Sequence, residues 1–173
     1  MQIQSLEDLY INGLQYVYDA EKQLTEALPK MAQAASTPEL KQAFEKHLGE
    51  TKEHVTRAEQ LFKNSGKQPE TKPNSVVKQM VQEAQGMISN IGEGPLRDAA
   101  LIIAGNQVEL FETASYGSLR NFAQLLNKTK CVSILEQTLE EEKKADAKLT
   151  EIGESTVNKK ALVHGVAGAA ASR

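Results

Sequence analysis

The chain has 173 residues, 40% of them hydrophobic and 25% charged, which is typical of one globular domain with a substantial core. A net charge of -3 argues against nucleic acid or an anionic membrane surface as the main partner, and no apolar run approaches the roughly 20 residues that span a membrane. The single cysteine, Cys131, excludes an internal disulfide, and the first residues do not resemble a secretory signal. We therefore expect a cytoplasmic protein.

The first two predicted helices form a hairpin. The first runs from about residue 6 to residue 34, and Ser5 with Asp8 three positions later predicts a capping box at its start. The second begins at Thr37-Pro38, an N-cap residue followed by a proline at the first helical position, and ends near residue 64. The short link between them indicates that the two helices are antiparallel.

The second half of the chain predicts a short helix and another hairpin. The segments are, in order, a polar loop at residues 67–74, a short helix at 75–89, a break at 90–94 and two long helices at 95–126 and 129–152. Two hairpins joined by a long crossover are the ferritin-like arrangement of a four-helix bundle. We predict an all-α, ferritin-like four-helix bundle over residues 1–155, with a short fifth helix in its crossover. Residues 156–173 are predicted to be a small, polar and partly disordered tail.

Carboxylates interrupt two of the apolar helix stripes. In the last long helix, positions spaced three and four residues apart form one buried stripe, and two of them are acidic: Leu135, Leu139, Glu142, Asp146 and Leu149. Glu21 interrupts the stripe of the first helix in the same way. Because an unpaired buried carboxylate is costly, some partner has to compensate it, and in helix bundles that partner is commonly a metal ion.

The depth of these carboxylates in the bundle is an independent indication. Residues at equal distances from a tight turn lie at the same level on the two helices of a hairpin. The pairs that match in this way, to about 2–3 Å at 1.5 Å per residue, are Glu21 with Glu50, Glu112 with Glu142, and Glu109 with Asp146. Six carboxylates from four helices at one level predict a site for two metal ions, and oxygen-rich ligation favours iron or manganese, with zinc as a substitute.

Four short motifs carry a family resemblance. In chain order they are Tyr18-Asp19-Ala20-Glu21-Lys22-Gln23-Leu24, His47-Leu48-Gly49-Glu50-Thr51, Val108-Glu109-Leu110-Phe111-Glu112 and Glu140-Glu141-Glu142-Lys143-Lys144-Ala145-Asp146. Over about residues 1–155 the chain resembles the YciF-like branch of the ferritin-like superfamily. The resemblance implies a bacterial protein associated with stress responses.

The carboxylate spacing is also similar to that of rubrerythrin, which implies a ligand set of Glu21, Glu50, Glu109, Glu112 and Glu142. Two positions depart from that pattern: Asp146 and Glu53 stand where rubrerythrin has histidines, and Glu53 is expected to point away from the core. His47 and His54 lie nearer the buried stripe, and the sequence leaves open whether either joins Glu50 as a ligand. Glu140 and Glu141 are expected to be solvated, and Tyr18 or Tyr116 could hydrogen-bond a ligand.

These observations predict a stress-response protein with a two-metal carboxylate site. It would oxidise Fe(II), or reduce peroxide or dioxygen, as a ferroxidase- or peroxidase-like oxidoreductase; no catalytic residue is assigned. The alternative is a non-enzymatic structural, oligomeric stress protein with a vestigial metal site. Either way we expect a homodimer or a higher homo-oligomer, and neither a membrane nor nucleic acid as partner.

Overall fold

The computed structural model describes residues 3–163, and this part of the chain contains five α-helices and no strand. The helices are α1 (Leu6–Ala34), α2 (Pro38–Asn64), α3 (Ser75–Asn90), α4 (Pro95–Leu125) and α5 (Thr129–Ile152). The all-α prediction is confirmed, and the predicted helix bounds agree closely with these. No helix of the described chain combines the length and apolar character that crossing a membrane requires.

The helices pack as two hairpins side by side. α1 pairs with α2 and α4 pairs with α5, while α1 also contacts α4 and α2 also contacts α5. The crossover between the hairpins carries α3, which packs on α1 and α4. This is the predicted four-helix bundle with a fifth helix in its long connection.

The first helix is capped as predicted, and the turn that precedes the second is held from across the bundle. The backbone N–H of Asp8 donates to Ser5 Oγ at 3.1 Å. Thr37 is the N-cap residue of α2, but its side chain makes no capping hydrogen bond. Instead, the buried carboxylate of Asp98 in α4 accepts the backbone N–H groups of Ser36 at 2.8 Å and Thr37 at 2.7 Å. The start of α4 therefore fixes the turn of the first hairpin.

The chain stays helical beyond the predicted end of its last long helix. A π-helical turn at Gly153–Val157 follows α5, and residues 158–163 are again helical. The side chain of Val157 is fully buried in the core, so an apolar anchor secures this extension. The rest of the predicted tail, residues 164–173, lies outside the described residues.

A layer of buried polar side chains divides the hydrophobic core in two. One apolar cluster lies around Phe44, Leu101 and Leu149, and the other around Tyr10 and Leu135. Between them, all four long helices contribute buried ionisable groups, which we call the polar layer: Glu21, His47, His54, Glu109, Glu112 and Glu142. The helix register that builds the two apolar clusters also brings these six side chains to one level of the bundle.

Candidate metal centre

The structure brings together four of the six carboxylates that the sequence selects. Glu21 and Glu142 are fully buried, while Glu112 and Glu109 are 1% and 3% exposed. With His47 and His54 they form two groups whose potential ligand atoms all lie within 4.8 Å of one another. Nitrogens of His47 and His54 therefore complete the two groups, and Glu50 belongs to neither.

The first group contains His47, Glu109, Glu112 and Glu142. His47 Nε2 lies 3.2 Å from Glu109 Oε1 and 3.7 Å from Glu142 Oε2. The group thus offers one imidazole nitrogen and three carboxylates, drawn from α2, α4 and α5.

The second group contains Glu21, His54 and Glu142. His54 Nδ1 lies 2.9 Å from Glu142 Oε1 and 3.5 Å from Glu21 Oε1. Glu142 belongs to both groups, and its two oxygens face different histidines: Oε1 faces His54 and Oε2 faces His47. One carboxylate with an oxygen toward each group is the arrangement of a bridging ligand.

The other nitrogen of His54 is bound to an outer carboxylate. His54 Nε2 lies 2.8 Å from Glu141 Oε2, and the Arg57 guanidinium donates to both Glu141 oxygens at 2.5 and 3.2 Å. The expectation that Glu141 is solvated is therefore wrong. Because Nε2–H is directed at Glu141, release of the other proton would leave a bare Nδ1 toward Glu21 and Glu142, a tautomer suited to ligating a metal.

Glu50 and Asp146 lie beside the polar layer rather than in it, and both are partly exposed. Glu50 accepts from Lys46 Nζ at 2.5 Å, and its other oxygen is 3.5 Å from His47 Nδ1. The contact with His47 lowers the pKa of Glu50 to about 2. Asp146 accepts from the side-chain amide of Asn106 at 2.5 Å, one turn beyond the site. Glu53 is exposed, as expected.

One tyrosine contacts the polar layer. The hydroxyl of Tyr116, which is 1% exposed, donates to Glu21 Oε1 at 2.5 Å. Tyr18 instead donates to Glu59 at 2.9 Å. Of the two tyrosines considered from the sequence, Tyr116 is therefore the one that orients a carboxylate of the layer.

The electrostatics of the layer favour bound cations or protons. Burial raises the pKa of Glu21, Glu109 and Glu112. Burial lowers the pKa of His47, but Glu109 and the neighbouring carboxylates outweigh it and raise the value to about 9. In the same way Glu142 and Glu21 raise the pKa of His54 to about 11 against the effect of burial. The carboxylates thus hold positive charge on the two histidines.

The donor atoms of the layer also fit a metal. Its buried atoms without a hydrogen-bond partner are Glu21 Oε2, Glu109 Oε2, both oxygens of Glu112 and Glu142, and Nδ1 of His47 and His54. His54 Nδ1 and Glu142 Oε1 are within ion-pair distance of each other but lack hydrogen-bond geometry. Since buried polar atoms are normally satisfied, unpaired carboxylate oxygens gathered in one layer match the coordination needs of a cation. His54 Nδ1 would join them once its proton is released, whereas His47 Nδ1 faces Glu50, so His47 would act through Nε2.

Sequence reasoning missed the contribution of Arg57 and Glu141, and it favoured Glu50 over the histidines. One signal was available: His47, Thr51, His54 and Ala58 are spaced four, three and four apart, the pattern of a buried stripe. All four are buried in the structure. The pairing of Arg57 with Glu141 joins α2 to α5 and has no local sequence pattern.

The comparisons with known proteins agree with this architecture. A family model described as "Domain of unknown function (DUF892)" matches residues 5–162. Protein YciF of Escherichia coli (strain K12) is 41% identical over 162 residues, or 93% of this chain and 98% of YciF. The crystal structure of the E. coli stress protein YciF, 40% identical, has a TM-score of 0.86 and covers 91% of this chain and 100% of that one.

Two further solved structures share the fold. YcfI from Rhodopseudomonas palustris is 36% identical with a TM-score of 0.84, covering 86% of this chain and 95% of that one. A Xanthomonas campestris protein at 21% identity has a TM-score of 0.69, covering 88% and 94% respectively. Since the family match and the likeness to YciF both extend over most of the chain, it belongs to the DUF892 family of YciF-like proteins.

Proposed function

We propose that the polar layer is a two-metal centre. Its ligands would be His47, Glu109 and Glu112 for one ion and Glu21 with His54 for the other, and Glu142 would serve both. The observation that carries the proposal is that the two oxygens of the fully buried Glu142 face two different histidines. Glu50 and Asp146, also expected as ligands, would support His47 and Asn106 from outside the layer.

Charge and ligand type are consistent with two divalent ions. Glu21, Glu109, Glu112 and Glu142 together carry four negative charges when ionised, which two divalent cations would balance. One imidazole with three carboxylates for the first ion, and with two for the second, suits iron, and manganese accepts the same oxygen-rich set. Zinc would be a substitute without redox chemistry.

The chain's own residues define what such a centre could do. Bound iron or manganese would supply one-electron chemistry for oxidising Fe(II) or for reducing peroxide or dioxygen. Tyr116 would hold Glu21 in place, and the Arg57–Glu141 pair would fix the ring of His54. The surrounding apolar clusters restrict water, which strengthens every electrostatic contact inside the layer.

The biological setting is proposed from the relatives. YciF of E. coli is described as a stress protein, and we infer a stress-response role for this chain, in the cytoplasm as its sequence indicates. The expected homo-oligomer is supported by α4, whose exposed face carries the large apolar side chains Leu96, Ile103 and Leu110. An exposed apolar stripe of this kind is typical of an association surface.

The alternative is a non-enzymatic structural protein with a vestigial metal site. Two observations favour it. The relative from R. palustris is described as a proposed structural protein. In addition, protons on His47 and His54 would by themselves offset part of the buried negative charge.

Metal content distinguishes the two functions. The protein would be purified without chelator and measured by inductively coupled plasma mass spectrometry, then measured again after anaerobic loading with Fe(II). About two ions per chain support the metal centre and justify assays of dioxygen and peroxide consumption. If the protein retains no metal in either preparation, the metal centre is ruled out and the structural function is the one supported.

A further inference from the structure

A small cavity connects the polar layer with the protein surface between α2, α4 and α5. Its volume is about 50 Å³, and it reaches His47 and Glu109. Apolar side chains of Ala43, Phe44 and Leu149 form much of its wall. Because one water molecule needs roughly 10–15 Å³ of such space, the cavity holds a ligand of about three to five heavy atoms.

Three lysines surround the outer part of this cavity: Lys46, Lys144 and Lys148. Lys46 pairs with Glu50 at 2.5 Å, and Lys148 pairs with Glu151 at 2.8 Å. Lys144 is exposed and forms no ion pair within 4.0 Å among residues 3–163. Since Glu50 is the only acidic side chain among the outer lining residues, the rim carries an excess of positive charge.

The inner end of the cavity reaches buried groups that can present a ligand to the metal centre. His47 is 6% exposed and Glu109 is 3% exposed, and both belong to the first group of ligand atoms. Four carboxylates balance two divalent ions, but they leave two positive charges uncompensated when both ions are trivalent. An anion that enters past the lysines would then meet positive charge at both ends of the cavity.

We propose that this cavity is the entry and binding site of the metal centre for a small anion of about three to five heavy atoms. The apolar walls set its size limit, and Lys46, Lys144 and Lys148 set its charge preference. The inference rests on the proposed function, because the ligand would bind at the ions held by the polar layer. The same positive rim would slow entry of Fe(II) by this route, so metal loading would use another path.

Azide is a suitable probe because it is a linear anion of three atoms. It would be titrated into protein that has been loaded with Fe(II) and oxidised in air, and binding would be followed by the ligand-to-metal charge-transfer absorption. In Lys144→Glu the azide affinity should fall roughly fivefold at low ionic strength, and the difference should shrink in about 1 M salt. The matched control is Lys143→Glu, the same charge change at a residue outside the cavity, and it should lower the affinity less than about twofold.

A second pair of variants tests the size of the cavity without changing charge. Ala145 lines the cavity and is partly buried, whereas Ala147 on the same helix is exposed and does not line it. Ala145→Leu should slow azide binding several-fold and leave the metal content unchanged. Ala147→Leu should bind azide at the wild-type rate.

The outcomes separate this inference from the proposed function. Wild-type protein that holds no metal would remove the proposed function and the inference with it. If the protein holds two ions, but Lys144→Glu, Lys143→Glu and Ala145→Leu all bind azide equally well, the anion site alone is overturned. Faster Fe(II) uptake in Lys144→Glu with unchanged azide affinity would identify the cavity as a cation route, and would also overturn it.

Discussion

Replacing Glu142 by glutamine should remove most of the stabilisation that metal gives the protein. The side chain is fully buried, and its oxygens lie 2.9 Å from His54 Nδ1 and 3.7 Å from His47 Nε2. Glutamine keeps the volume but removes the negative charge and offers a weaker donor to both groups. Substitutions that only disturb the partner of a ligand weaken metal binding by about 10- to 100-fold, so removing a shared ligand should cost at least about 100-fold.

The expected change in melting temperature follows from linkage. At a free metal concentration of about 100 times the dissociation constant, one ion stabilises the wild type by about 2.7 kcal/mol. After a 100-fold loss of affinity the same concentration gives only about 0.4 kcal/mol. At about 2–4 °C per kcal/mol for a chain of this size, the rise in Tm that each ion contributes should fall from about 5–11 °C to about 1 °C.

The assay is thermal unfolding with and without Mn(II), which avoids oxidation during the measurement, combined with metal analysis of the dialysed protein. Comparing each variant with its own metal-free form removes the effect of the substitution on the apoprotein. Glu140→Gln is the control, because it makes the same chemical change two positions away, at an exposed residue. The reasoning is refuted if Glu142→Gln keeps two ions per chain and the wild-type rise in Tm.

Three further predictions follow from the contacts of the polar layer. The metal-induced rise in Tm should grow between about pH 6 and pH 9, because a metal must displace the protons of His47 and Glu112. The neighbouring carboxylates raise the pKa of His47 to about 9, and burial raises the pKa of Glu112. A rise in Tm that is constant across this pH range would contradict the assignment. Arg57→Gln removes the guanidinium that holds Glu141 and should weaken metal binding by about 10- to 100-fold, measured in competition with a chelator. Unchanged metal affinity would show that the Arg57–Glu141 pair has no effect on the centre. Asp98→Ala removes two hydrogen bonds to the turn before α2 and should destabilise the fold by about 2–4 kcal/mol in urea unfolding, while metal content per folded chain stays at the wild-type value.

The helices and their connections were predictable because their signals are local. Ser5 with Asp8 and the Thr37-Pro38 start of α2 each specify a helix end from nearby residues. Even there, one detail depended on tertiary structure: the hydrogen bonds that hold the turn before α2 come from Asp98, about sixty positions along the chain. The helical extension after α5 was missed because small and polar residues hide its one buried anchor, Val157.

The carboxylate level was also predictable, but the membership of the site was not. Stripe position and distance from a turn locate a side chain to about one helical turn, and Glu21, Glu109, Glu112 and Glu142, which they selected, are buried at one level in the structure. They do not say which way a side chain at the edge of a stripe will bend. Lys46 draws Glu50 outward and Asn106 engages Asp146, and such contacts between side chains decide which of several acidic residues at one level enters the core.

The cost of the polar layer is the strongest physical argument about its purpose. An uncompensated buried charge costs several kcal/mol, while a whole domain is stable by only about 5–15 kcal/mol, so four ionised carboxylates at one level require counter-charge. Protons on His47 and His54, and on the carboxylates whose pKa burial raises, offset part of this charge, yet both oxygens of Glu112 and of Glu142 still lack hydrogen-bond partners. A layer selected only for stability would replace such groups with apolar side chains, since buried ionic groups rarely stabilise a fold better than hydrophobic ones do. The chain instead holds His54 from behind with Glu141 and Arg57, which favours a centre organised for a ligand over a relic of one.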